Sequence, residues 1–198
     1  MPETWREQLI EAARRDVQTR ARLAQSGALF DGYHPEMEAV HLENARLLEQ
    51  VFEAIGWPHH QALGEDGAAA AFLILQHAIS RPELQRRGLE LMLEAIPHGR
   101  ANMLDAAYLS DRIAVFEGRP QTFGTQFDWD KQGQLSPSLV RDEAELDERR
   151  ASVGLPPMAE TIAHIRAQAA AEGESAPPDR ARRQAEFARW ARKVGWRA

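Results

Sequence analysis

The chain has 198 residues, 24 Lys and Arg against 30 Asp and Glu for a net charge of −6, and 43 % hydrophobic residues. That length and apolar share suit one domain with a real core plus at most an appendage, and argue against wholesale disorder. Cysteine is absent, which excludes disulfides, thiolate metal sites and cysteine nucleophiles.

The N-terminal Met1-Pro2-Glu3-Thr4-Trp5-Arg6 opens a charged amphipathic segment and lacks the apolar run of a signal peptide. Residues 3–25 read as a first helix, with Leu9, Ala12, Ala13, Asp16, Val17, Arg20 and Leu23 near one side. A connector over 27–34 leads to Pro35, suited to the first turn of a second helix. That helix repeats Met37, Val40, His41, Asn44, Leu47, Leu48, Val51, Phe52 and Ile55 at three-and-four spacing, and Gly56-Trp57-Pro58 stops it. Glu65 or Asp66 caps a third helix, Gly67 to Ile79. A fourth fits Pro82 to Ile96 and a fifth about 102–116. From 118 to 139 the chain reads as one long irregular loop, of a length uncommon in compact domains unless it has a function. Helices over 142–153 and 157–171 follow, then a linker at 172–179 and a basic amphipathic helix over 180–198. No β pattern stands out. The expected fold is an all-α bundle of six to eight helices, residues 1–171 forming a single helical domain.

The longest apolar stretch, Ala68 to Leu75, is eight residues, against roughly 18–20 for a membrane span. A cytoplasmic protein without a membrane span is the expectation. Charge is uneven: residues 180–198 hold seven Lys and Arg against Glu186 alone. The acidic body is a poor ligand for nucleic acid, since phosphate neutralisation needs a basic face. Phe187, Trp190, Ala191 and Val194 form one stripe of the tail. It reads either as a surface for nucleic acid, an anionic membrane or a protein partner, or as a terminal helix docking its Trp face onto the acidic body.

Polar residues on apolar stripes mark the candidate site. Gln76 and His77 end the most apolar helix, one turn after Phe72 and Leu73. Leu104, Tyr108, Asp111 and Val115 are spaced so that Asp111 falls where an apolar residue belongs, with Arg112 beside it. The following loop supplies Arg119, Gln121, Thr122, Thr125 and Gln126, donors and acceptors of the kind that orient a ligand. Asp16, Arg20, His41 and Asn44 are further polar interruptions in the first two helices. The leading expectation is a small-molecule-binding helical domain, with acid–base catalysis by His77 and Asp111. Its ligand contacts would be Arg112, Gln76, Arg119, Gln121, Thr125, Gln126 and Asn44. The competing class is an acidic interaction module, an adaptor or immunity-type protein that engages a partner through residues 180–198. No metal and no cofactor is expected: the histidines form no HExxH pair, and no Walker A, GxGxxG, EF-hand or GxSxG pattern occurs. His34, His41, His59 and His60 are the histidines a metal would draw on, with His59-His60 beside Pro58 reading as a surface turn.

Seven stretches in order across about residues 36–160 carry a resemblance. They are Gly56-Trp57-Pro58, Gly64-Glu65-Asp66-Gly67-Ala68, Gln76-His77-Ala78, Ala107-Tyr108-Leu109-Ser110-Asp111-Arg112, Glu117-Gly118-Arg119-Pro120-Gln121, Gly124-Thr125-Gln126, and Arg149-Arg150 through Gly154-Leu155-Pro156-Pro157. Together they resemble a mainly bacterial family catalogued as domain of unknown function 6624. Phe123 stands where the family commonly carries Tyr, and the basic tail lies outside the resemblance. The resemblance supports the domain limits and implies no particular chemistry.

Overall fold

The computed structural model describes residues 4–28 and 33–198 and divides into two compact units, Met1–Asn102 and Met103–Ala198. Both are helical, as expected, and among the described residues no helix is long and apolar enough to cross a membrane.

The first unit holds α1 (Trp5–Gln25), α2 (Pro35–Ile55), α3 (His60–His77) and α4 (Pro82–Ala95). Thr4 starts α1 through a capping box, its hydroxyl accepting from Glu7 N while the Glu7 carboxylate accepts from Thr4 N. The expected start at Glu3 lies outside the described residues, as do residues 29–32 of the expected connector. The buried side of α1 is Leu9, Ala12, Ala13, Asp16 and Leu23. Val17, expected near that side, is 54 % exposed, so the stripe is narrower than the sequence suggests. His34 caps α2 by accepting from Glu36 N at 3.2 Å, and Pro35 occupies the first turn. The buried set is Met37, His41, Asn44, Ala45, Leu48 and Val51.

The third helix begins at His60, earlier than its expected start at Gly67. Gly64 interrupts it at φ 70° and ψ 169°, a conformation only glycine adopts without strain. The turn before that break, His60 to Leu63, follows directly on Trp57-Pro58-His59 and is too short to show helical periodicity. α3 ends at His77, two residues short of Ile79, because α4 closes it: buried Gln85 donates to Leu75 O at 2.8 Å and Gln76 O at 3.0 Å. Those are orphan carbonyls of a helix C-terminus, and satisfying them fixes the last turn where His77 sits. α1, α2 and α3 pack on one another, and α4 packs on α2 and α3.

The second unit holds α5 (Met103–Glu117), a hairpin of β1 (Phe127–Trp129) and β2 (Leu135–Pro137), then α6 (Leu146–Ser152), α7 (Met158–Ala171) and α8 (Arg180–Lys193). The hairpin corrects the expectation of a wholly irregular 118–139. It is antiparallel, with Asp128 opposite Ser136, and turns where Asp130 accepts from the N–H groups of Gln132 and Gln134. Strands of three residues are too short to show alternation in a sequence. α7 lies against β2, where Arg166 Nε donates to Leu135 O at 2.9 Å.

The aromatic side of the basic tail is used inside this unit. Phe187, Trp190 and Trp196 gather around Phe116 of α5, with ring centroids 5.1–5.7 Å apart. Ala191 and Trp196 are buried. Arg197 donates to the carbonyls of Val115 and Phe116 at 2.9 and 2.7 Å, closing the end of α5. The exposed side of α8 keeps Arg189, Arg192 and Lys193.

Candidate functional site

Three helices of the first unit each aim one polar side chain at a common point. Asp16 of α1 is fully buried, with its Oδ2 2.9 Å and Oδ1 3.0 Å from His77 Nδ1 at the end of α3. His41 of α2 brings its Nε2 to 3.2 Å from the same Oδ2. The two imidazoles face each other with centroids 5.1 Å apart. Behind His41, the Tyr33 hydroxyl lies 2.7 Å from Nδ1. Burial raises the Tyr33 phenol well above its usual range, and the charges of Glu38 and Asp16 add to this, so it is a neutral hydroxyl at ordinary pH.

Asp16 itself is ionised. Burial alone would raise its carboxyl, but the imidazoles of His41 and His77 against it hold it well below the usual carboxylate range. An ionised carboxylate only accepts, so the proton between it and His77 belongs to Nδ1. That leaves the lone pair of His77 on Nε2, on a side chain that is 26 % exposed and makes no hydrogen bond through that atom among the described residues. The arrangement is a carboxylate–imidazole pair whose second ring nitrogen has no protein partner among the described residues. Asn44, one turn after His41, is buried, but it clips α2 to α1 by donating to Ala12 O at 3.1 Å and accepting from Arg15.

Asp111 has a different setting, in the second unit. It is fully buried and accepts from Thr122 N at 2.7 Å, Phe123 N at 3.1 Å, Thr125 N at 2.9 Å and Thr125 Oγ1 at 3.0 Å. Gln121, also buried, donates to Gln126 O and Ser138 O and accepts from Gln126 N. Gln126 Nε2 donates to Thr125 Oγ1. Arg150 of α6, 1 % exposed, donates to Phe123 O at 2.7 Å, Gly124 O at 3.4 Å and Pro156 O at 2.7 Å. Arg149 donates to Thr122 O at 2.8 Å. Of the side chains expected to orient a ligand, Gln121 holds the main chain of its own loop, while those of Thr125 and Gln126 bond to the side chains of Asp111 and Thr125. Arg119 is exposed and pairs with Glu117. Burial lowers the Arg112 guanidinium from its ordinary range.

Gly124 is the tightest point of that loop, at φ 66°, where an added Cβ would lie 2.3 Å from Met158 Cε. Gly124→Ala is therefore expected to destabilise the protein by about 1–2 kcal/mol through the left-handed backbone alone, and by more until Met158 moves. Urea unfolding in the wild-type and Met158→Ala backgrounds separates the two parts, because only the steric one disappears with Met158.

His77 and Asp111, expected as one catalytic pair, belong to different units, and each has its partners within its own. Asp16 and His41 are visible in the sequence as polar breaks in apolar stripes. Tyr33 gives no such signal, since it precedes its helix.

Fold and side chains define an all-α protein with a His–Asp–His cluster around one buried carboxylate at the meeting of three helices. The chain belongs to a family of unknown function, DUF6624, whose model matches residues 7–172 and leaves α8 outside. No curated protein and no solved structure matches the chain.

Proposed function

We propose that the protein acts on a small molecule through acid–base chemistry centred on the Asp16–His77 pair. One observation carries this reading: a fully buried carboxylate 2.9 Å from Nδ1 of an imidazole that is itself 26 % exposed. A fully buried histidine needs partners for both ring nitrogens inside the protein. Here the carboxylate takes one and the other is left for a ligand. Asp16 fills the orienting role that the sequence reading gives to Asp111, fixing the tautomer and the ring plane so that Nε2 takes or returns a proton. His41, held by Tyr33, packs the second side of the carboxylate.

A fragment screen read by histidine side-chain 15N signals tests the reading. Bound fragments are expected to move the His77 Nε2 resonance first, and His77→Gln, folded by circular dichroism, is expected to lose those fragments. Hits that leave His77 unmoved, or that bind His77→Gln equally well, would remove the pair from consideration as the site.

A further inference from the structure

We propose that Asp16, His41 and His77 form a binding site for one divalent first-row transition-metal ion. The inference rests on the reading above that the Asp16–His77 pair is the working centre, and it changes the agent: the ion takes the place of the proton on Nδ1, and the base becomes the hydroxide left when a metal-bound water gives up a proton to solvent, instead of His77 Nε2.

The donor set is one carboxylate oxygen and two imidazole nitrogens, all within 4.8 Å of one another. Ligands about 2.0–2.2 Å from a common ion stand roughly 2.9–3.4 Å apart in octahedral or tetrahedral geometry. Asp16 Oδ2 stands 2.9 Å from His77 Nδ1 and 3.2 Å from His41 Nε2. Such distances also suit hydrogen bonds, and for His77 one is present. His41 is the discriminating residue. Its Nε2 is buried and 3.2 Å from the carboxylate, close enough to act on its charge, yet it is not aligned for a well-formed hydrogen bond to it. A buried ring nitrogen without a good partner is destabilising, and an ion held jointly with Asp16 and His77 removes that cost.

The outer contacts fit as well. A metal-bound histidine commonly donates its second N–H to an oxygen that fixes its tautomer. Tyr33 supplies that oxygen 2.7 Å from His41 Nδ1, and its phenol stays neutral because burial disfavours the phenolate. Nδ1–H toward Tyr33 leaves the Nε2 lone pair facing Asp16. Two imidazoles and a carboxylate, without thiolate, suit borderline ions of the Zn2+ and Fe2+ type over Ca2+ or Mg2+. Three protein ligands leave at least one position open, the pattern of catalytic rather than structural sites.

The test is titration of chelator-stripped full-length protein with Co2+, followed by displacement with Zn2+. One Co2+ per chain with visible d–d bands is expected, and 15N signals of His41 Nε2 and His77 Nδ1 should shift in the wild-type protein. Those signals need no variant to fold. Tyr33→Phe is expected to weaken binding by about 10–100-fold, and His41→Gln or His77→Gln by more. His98→Gln, on an exposed side chain, should leave it unchanged. Failure of one equivalent to bind, or binding that survives both His41→Gln and His77→Gln, overturns the proposal. Fragments that still move His77 in excess chelator, with no metal bound by the wild type, would defeat the metal site and leave the acid–base reading standing. Absence of both effects defeats both.

Discussion

Asp111→Asn is expected to lower the stability of the protein by about 3–5 kcal/mol, a fall of roughly 6–20 °C in Tm for a chain of this length. The carboxylate offers two oxygens to four donors, three of them main-chain N–H groups of Thr122, Phe123 and Thr125. An amide keeps one oxygen and puts an NH2 group where the other stood. Donor then faces donor in a buried site, and at least one main-chain N–H loses its acceptor. Hydrogen bonds to a charged group contribute about 1.5–3 kcal/mol each, and a buried donor left unmade costs about 1–3 kcal/mol. Thermal unfolding by circular dichroism measures the fall. Hydrogen exchange at Thr122, Phe123 and Thr125 locates it, since those amides should lose protection first. An unchanged Tm would mean that the loop stands without the carboxylate, and Asp111 would return as a candidate for chemistry.

The position of Asp111 is readable in the sequence, but its use is not. An aspartate at an apolar point of a helical stripe announces a buried charge that needs partners. Three of its four donors are backbone N–H groups, which every residue but proline offers and which therefore leave no mark in a sequence. Arg150 illustrates the same limit from the other sign. It lies beside Arg149 in a seven-residue helix too short to show an inward side, yet it is buried because main-chain carbonyls of Phe123, Gly124 and Pro156 surround it. The helices themselves were legible wherever an apolar stripe ran three turns or more and a Gly or Pro closed it, as in α2. The hairpin at 127–137 had neither length nor alternation to show.

The triangle of Asp16, His41 and His77 lies between these cases. Each member was legible as a polar break in an apolar stripe of its own helix. That they meet depends on the rotational phase and packing angle of three helices, with Asp16 and His77 separated by 61 positions. A stripe fixes which side of a helix faces inward to within about one residue in the turn. It does not fix which inward residues of different helices share a level, and that is the information a site requires. Periodicity alone does not separate Asp16 from Asp111 as the carboxylate beside His77, since both are buried.

Arg150→Lys carries the second large expected effect, a loss of about 2–4 kcal/mol. The guanidinium reaches its acceptors from three different nitrogens: Nε to Pro156 O, Nη1 to Phe123 O and Gly124 O, and Nη2 to the Thr161 hydroxyl. A lysine carries its three donors on one atom and leaves most of these buried carbonyls unmade while keeping the charge. Charge conservation should therefore not protect the variant. The double variant with Asp111→Asn is more informative than either alone. Asp111 accepts from Phe123 N, and Arg150 donates to Phe123 O, so the two side chains grip one residue from its two polar ends. Once either grip is released the loop can relax, and losing the other should cost less. A double-mutant cycle on urea unfolding is expected to give a coupling of about 0.5–3 kcal/mol in the sub-additive direction. Strict additivity would mean that the carboxylate and the guanidinium hold separate pieces of chain, and that the 121–126 loop is not the cooperative element these hydrogen bonds describe.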